Sequence, residues 1–262
     1  MISFAAIAPH SPLLIPSIGR EKINKLAVTR QSLEDLAGKL SKANPDALIV
    51  ISAPRNAHCD TFGIILNKKY TADFEEFGDF ETKLEFLPDL ELTEKIRHEA
   101  LDNNVPLILS SGANIDYHFA VPLYYLARNK NFKIIPFCHT SGDLKSHFEM
   151  GRLMKSVLME SSKRIGVIAS GNLSYRSSET SPLGFSMTGE KFNNKFIELL
   201  ETKNTAGLLG LDTKLLANVD ESIVLPVIIL MGIIEKINYK PQIFSFEAPL
   251  GIGHLVCNFK FL

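Results

Sequence analysis

Apolar positions in this chain follow two rhythms. Short unbroken apolar runs recur at Ser3–Ala8, 47–52 (ALIVIS), 105–110 (VPLILS), 132–137 (FKIIPF) and 164–170 (RIGVIAS), the pattern of strands buried on both faces. Thr61–Leu66 reads as a further strand. Between the runs, apolar residues return every three or four positions. Ile23, Leu26, Leu33, Leu36 and Leu40 predict a helix over Arg20–Lys42, broken by Asn44-Pro45-Asp46. Helices are also predicted over Leu92–Asn103, Ala120–Asn129, Leu144–Ser161 behind an Asp143 cap, Glu190–Leu200 and Ser222–Ile237. The end of the chain alternates like a strand pair around Pro249-Leu250-Gly251.

Strands separated by helices predict an α/β fold: a mainly parallel or mixed central sheet, helices on both faces, and an antiparallel hairpin at one side. In such folds the functional residues lie beyond the carboxyl ends of the strands. That singles out His10, the stretch Ala53–Asp60, the stretch Ser111–His118 and the loop Gly171–Tyr175. Glu247, a carboxylate inside the C-terminal hairpin between Phe246 and Ala248, is an unusual residue for a strand.

Composition narrows the partners. The chain has 262 residues, 45% hydrophobic and 22% charged, enough for one large domain, with a formal charge of -1. That balance gives no electrostatic reason to expect nucleic acid or a membrane surface. The strongest apolar run, Ile223–Ile234, contains Pro226 and is too short to span a bilayer, so it reads as a buried helix. The N-terminal stretch lacks a basic segment and is broken by Pro9 and Pro12, so a signal peptide is not expected. Cys59, Cys138 and Cys257 form no close pair, which suits free thiols in a reducing cytoplasm.

Five segments carry a resemblance when taken in order: PHSPLLIPSIG, ALIVISAP, IDYHFAVPLYYL, IASGNLSYR and FSFEAPLGIGHLV. Together they resemble the class III extradiol ring-cleavage dioxygenase superfamily of LigB type, which includes Memo-like proteins. The resemblance runs nearly end to end, so it implies a single LigB-like domain over 1–262. It also implies a non-haem Fe(II) enzyme acting on a catechol-type aromatic, with iron held by two histidines and a glutamate. A further histidine serves as acid/base and another lines the pocket.

Carried over residue by residue, His10 takes the place of the first ligand and Glu247 that of the carboxylate. The second ligand's position is Pro54, which cannot bind a metal. The pocket histidine's position is Tyr117 and the acid/base position is Tyr175; the acidic residue of that last motif is Asn172. The loop around Tyr175 therefore looks like an active site because relatives use it as one, and the proton-transfer histidine is missing. Loss of such a group alone removes about 10²–10⁴-fold in rate.

Nearby residues offer substitutes. His58 lies four residues beyond Pro54 and is a third metal candidate. His118 neighbours Tyr117; adjacent side chains diverge unless a turn brings His118 inward. His254 lies near Glu247 in sequence, Cys59 beside His58 is weak evidence for a soft metal, and Arg55 and Arg176 suit an acidic substrate. His98, His139 and His147 read as surface or structural, with His139, after a strand end, the one to examine. Three functional expectations follow. The first is a binding or partner subunit with an incomplete iron site, pairing with itself or with a catalytic paralogue. The second is an active Fe(II) dioxygenase using His10, Glu247 and His58. The third is a Memo-like role.

Overall fold

The computed structural model describes residues 1–53, 61–112, 114–128 and 130–262. Pro54, Arg55, His58 and Cys59 lie outside the described residues, as does the third metal position assigned to His58.

The elements run β1 (Ile2–Ala8), α1 (Pro16–Gly19), α2 (Ala27–Ala43), β2 (Ala47–Ser52), β3 (Phe62–Leu66), β4 (Tyr70–Phe74), β5 (Asp79–Pro88), α3 (Leu90–Asp102) and β6 (Leu107–Ser111). They continue with α4 (Tyr117–Leu126), β7 (Lys133–Cys138), α5 (Leu144–Glu160), β8 (Ile165–Ser170), α6 (Met187–Glu201), α7 (Thr205–Leu209), α8 (Thr213–Val219), α9 (Val224–Ile233), β9 (Tyr239–Glu247) and β10 (His254–Phe261). Among the described residues ten strands form one mixed sheet with the order β4-β5-β7-β2-β8-β1-β10-β9, and β3 and β6 branch off β7. The centre is parallel: β8 pairs with both β1 and β2, and β2 with β7. The β9–β10 hairpin joins β1 antiparallel, at the side the sequence implies.

Unbroken apolar runs make the central strands. All six residues of β2 are buried, because α3, α5, α6 and α9 cover one face of the sheet while α2 and α4 cover the other. Helix α9 is apolar all round (VLPVIILMGI) and sits wholly inside, with Pro226 in its first turn. It crosses α5 at backbone contact through Gly151 and Gly232. A Cβ on Gly151 would lie 2.1 Å from the Ile229 carbonyl oxygen, so no larger residue fits there.

Several predicted boundaries shift. The Arg20–Lys42 helix is a 3-10 segment over Arg20–Leu26 followed by α2. The Ala120–Asn129 helix begins earlier, at Tyr117, because the Asp116 side chain accepts from the His118 N–H, and it ends at Leu126. The β4–β5 hairpin is not read from the sequence, although Tyr70, Ala72 and Phe74 and then Leu84 and Phe86 alternate with polar residues.

Candidate functional site

Polar residues gather where the carboxyl ends of β1, β7 and β8 meet the start of α4, the start of α9 and the start of the antiparallel β10. His10 is at the centre and is 1% exposed. Its surroundings come from distant parts of the chain, and Gly171 makes the approach possible. A Cβ there would lie 2.5 Å from the Ser222 carbonyl oxygen and 2.6 Å from the Ile223 Cα, so only glycine lets the β8 loop lie against the backbone leading into α9.

The hydrogen bonds fix the state of His10. The Ser170 hydroxyl donates its single proton to the His118 carbonyl oxygen. Its 3.3 Å contact with His10 Nδ1 therefore requires Nδ1 to be the donor. Nε2 is then an acceptor, facing the Tyr175 hydroxyl at 3.3 Å and the Ser222 hydroxyl at 3.2 Å. Asn172 holds both ends of this arrangement: its Nδ2 donates to the Tyr175 hydroxyl (2.8 Å) and its Oδ1 accepts from the His10 backbone N–H (3.3 Å). His10 is neutral by this accounting. Burial pushes its pKa well below the usual histidine value, and the neighbouring histidines 118, 254 and 139 push it the same way. Burial likewise raises the Tyr175 phenol.

His118 is turned inward. Its ring meets His10 edge-on, with centroids 4.4 Å apart, and stacks on Tyr117 at 4.0 Å, so these adjacent side chains do not diverge. The reason is the start of α4, where consecutive residues turn by about 100° rather than alternating. The Asp116 carboxylate caps that helix and contacts His118 Nδ1 at 3.1 Å. Tyr117 packs on Phe77.

His254 is fully buried beside this group, and among the described residues neither ring nitrogen has a hydrogen-bond partner of acceptable geometry. Burial lowers it to about 4, with the backbone of Ile252 and Glu247 opposing the shift weakly. His139 is also lowered to about 4 by burial. Its Nδ1 bonds the Thr140 carbonyl at 2.9 Å, and His147 packs behind it with ring centroids 5.9 Å apart. Sequence reasoning left His139 and His147 as surface or structural. His147 is in fact 0% exposed, and His139 belongs to the group around His10. The available signal was the position of His139 after the end of β7, the same edge of the sheet that His10 marks. Ser170 and Ser222 carried no signal of their own. His98 is exposed, as expected.

Glu247 has a different setting. Its Oε1 accepts from the Thr29 N–H at 2.8 Å and the Thr29 hydroxyl at 2.6 Å, across 218 residues of chain. Thr29 lies in the first turn of α2, whose own N-cap residue, Leu26, offers no side-chain bond. The carboxylate thus caps a helix from outside it, where partial positive charge collects. Arg176 is ion-paired with Asp220.

For iron, the fit is poor among the described residues. No three His, Cys, Asp or Glu side chains among them form a metal-binding group. The His10 lone pair is held by two hydroxyls, and Glu247 Oε1 is held by Thr29. Pockets elsewhere, such as the roughly 600 Å³ hollow lined by Glu34, Lys39 and Phe244, hold no comparable chemistry.

Comparison with known proteins identifies the fold and the family. The chain is 26% identical over 260 residues to "Protein CA_C1420" of Clostridium acetobutylicum, a match covering 95% of this chain and 55% of that protein. The chain thus spans little more than half the length of that relative. A solved structure, the uncharacterized protein JW3007 from Escherichia coli K12, shares the fold with a TM-score of 0.65 at 16% identity, over 97% of this chain and 98% of that one. No helix among the described residues is long and apolar enough to cross a membrane. Residues 4–257 match the model for the catalytic LigB subunit of aromatic ring-opening dioxygenase, and the chain belongs to that family.

Proposed function

We propose that this chain is an altered, single-domain LigB-type protein that works as a binding or partner subunit, without the iron-dependent ring cleavage of class III extradiol enzymes. The observation that carries the reading is the state of His10. Its Nε2 lone pair, the atom a metal would need, already faces the Tyr175 hydroxyl at 3.3 Å and the Ser222 hydroxyl at 3.2 Å. A phenol with a raised pKa replaces the proton-transfer histidine, and neutral Asn172 replaces the acid beside it. A catechol-type aromatic would be its small-molecule ligand, met by the Tyr175 and Ser222 hydroxyls beside His10. Its partner would be a second copy or a catalytic paralogue, in the cytoplasm.

A second reading is supported by His254. A fully buried imidazole without hydrogen bonds is an unusual cost, and one explanation for such a group is a bound ion. On that reading the chain is an Fe(II) dioxygenase with a rearranged ligand set of His10, Glu247 and either His58 or another histidine, His254 being the one this observation offers. A Memo-like use of the same cleft has no separate support.

Metal content after anaerobic reconstitution with Fe(II), measured beside His10→Ala, decides between the two. The first reading expects no iron above the His10→Ala control and no oxygen uptake with catechols. Stoichiometric iron that the substitution removes would overturn it.

A further inference from the structure

Helix α2 packs on α4, β1, β10 and β9. Strand β9 ends the strand order of the sheet, so α2 lies at its rim. There Glu34, Asp35, Gly38, Lys39 and Lys42 of α2 line a hollow of about 600 Å³ together with Phe244 of β9.

A single chain makes little use of this face. Asp35 accepts a hydrogen bond from Gln31 at 3.2 Å, but among the described residues Asp35, Lys39 and Lys42 join no ion pair. This holds although Asp35 and Lys39 stand four apart, the spacing at which opposite charges meet on a helix. Gly38 is exposed in the middle of α2, where glycine weakens a helix relative to alanine. A Cβ there would meet nothing within 4 Å, so the fold of one chain does not call for glycine at that position. Close passage of a second backbone does.

We propose that this face is a two-fold interface with a second copy of the chain, in which α2 lies antiparallel to its counterpart and crosses it at Gly38. Along the helix the charges run acid, then base: Glu34 and Asp35, then Lys39 and Lys42. A complementary partner must run base, then acid, at the same spacing. Helix α2 itself does so when turned about an axis between Gly38 and Lys39. Asp35 of each copy then faces Lys42 of the other, so the pair forms twice, and a partly exposed Phe244 ring comes in from each rim. The 17 residues of α2 make about 25 Å of helix. With β9 alongside, the footprint is roughly 600 Å² per copy, near the lower limit of a stable interface, so micromolar association is expected. The inference supplies the partner that the binding-subunit reading leaves open, and it rests on that reading for its use, not for its geometry. His10 and Glu247 are not part of the face, so iron content and dimerisation are decided by separate measurements.

The test is sedimentation velocity over roughly 1 to 100 µM protein, at low and high salt. The unaltered chain should show a monomer–dimer equilibrium that salt weakens, because exposed charge pairs are screened. Asp35→Lys and Lys42→Asp should each raise the Kd by about tenfold, since each sets like charges together twice. The double variant Asp35→Lys/Lys42→Asp should return it to within about threefold of the unaltered value. Residues seven apart on one helix lie about 10 Å apart along its axis, so that recovery can arise only between copies. Gly38→Gln favours the helix of the monomer and should weaken the dimer. A monomer at every concentration overturns the proposal and leaves the face to a different chain. A dimer that neither charge reversal weakens, or that the double variant does not restore, overturns it as well. All three positions are exposed, and the salt series on the unaltered protein keeps the test open should a variant fail to fold.

Discussion

His10 and Glu247, the two residues that the resemblance pairs at one iron, are held in opposite ways. At His10 the side chain is neutral and enclosed, and three hydroxyls from two segments meet it: Ser170 and Tyr175 from the end of β8 and its loop, and Ser222 from the approach to α9. At Glu247 a carboxylate is held by a single residue, Thr29, at the positive end of a helix. The first arrangement spreads its energy over several weak bonds in a water-poor space. The second concentrates it in two short charge-assisted bonds, each stronger than a neutral one. The histidine end should therefore tolerate single substitutions, whereas the carboxylate end should not.

The largest effect is expected from Glu247→Ala. It leaves the Thr29 N–H and the fully buried Thr29 hydroxyl without an acceptor. Hydrogen bonds to charged groups contribute about 1.5–3 kcal/mol each, so a total loss of about 3 kcal/mol is expected. In calorimetry that corresponds to a Tm roughly 6–12 °C lower. Combined with Thr29→Val in a double-mutant cycle, most of the loss should be shared between the two residues. Additive losses would show that Glu247 acts elsewhere and would break the contrast. Measured alongside, any metal binding by the unaltered protein should be abolished in Glu247→Ala if the carboxylate is a ligand.

A smaller effect of opposite sign is expected at His254. Exchanging this orphaned imidazole for Met removes two buried, unbonded nitrogens and keeps an apolar side chain of similar size. A gain of about 1 kcal/mol in denaturant unfolding is expected. The substitution should also weaken the acid response. His10, His139 and His254 all have folded pKa values below 6.5, with His139 and His254 at about 4. Their contribution to stability is present above pH 6.5 and is lost as the pH falls toward 4. Midpoints measured from pH 7 to 4 should fall less steeply in His254→Met. An equal slope would mean that the buried histidines do not set the acid limit.

The difference between the two ends also explains what could be read from the chain itself. Strand positions were legible because burial on both faces leaves unbroken apolar runs, as in ALIVIS. The region of His10 was legible because a strand end marks it. Its partners were not, since Ser222 meets His10 across 212 residues and nothing in the local sequence distinguishes that serine. The partner of Glu247 was hidden for a related reason. A carboxylate among apolar residues signals that a partner exists, but the partner, Thr29, is supplied by packing between α2 and β9. The β4–β5 hairpin, at the end of the strand order, carries the period-two alternation of half-buried strands, so its signal was present in the sequence and went unread. The start of α5 was legible from its local cap, Asp143, whereas the start of α4 was missed although Asp116 caps it in the same way, and Glu247 caps α2 from afar.

The smallest effect tests the histidine end itself. Tyr175→Phe keeps the ring and removes only the hydroxyl, which accepts from Asn172 and donates to His10 Nε2. Ser222 remains 3.2 Å from Nε2 and can turn its one proton from the Asn172 carbonyl to that lone pair, so the imidazole stays satisfied. Asn172 Nδ2 loses its acceptor, so a cost of about 1 kcal/mol is expected, far below that of Glu247→Ala. The more telling readout is the imidazole: its nitrogen NMR shifts should still report a neutral ring with the proton on Nδ1. If the phenol alone held that state, the substitution would move the proton or charge the ring, and the site would rest on one bond after all, as the glutamate does. If the state persists, the His10 end is redundant by construction, and removal of Ser222 and Tyr175 together is what should expose Nε2 to a new ligand.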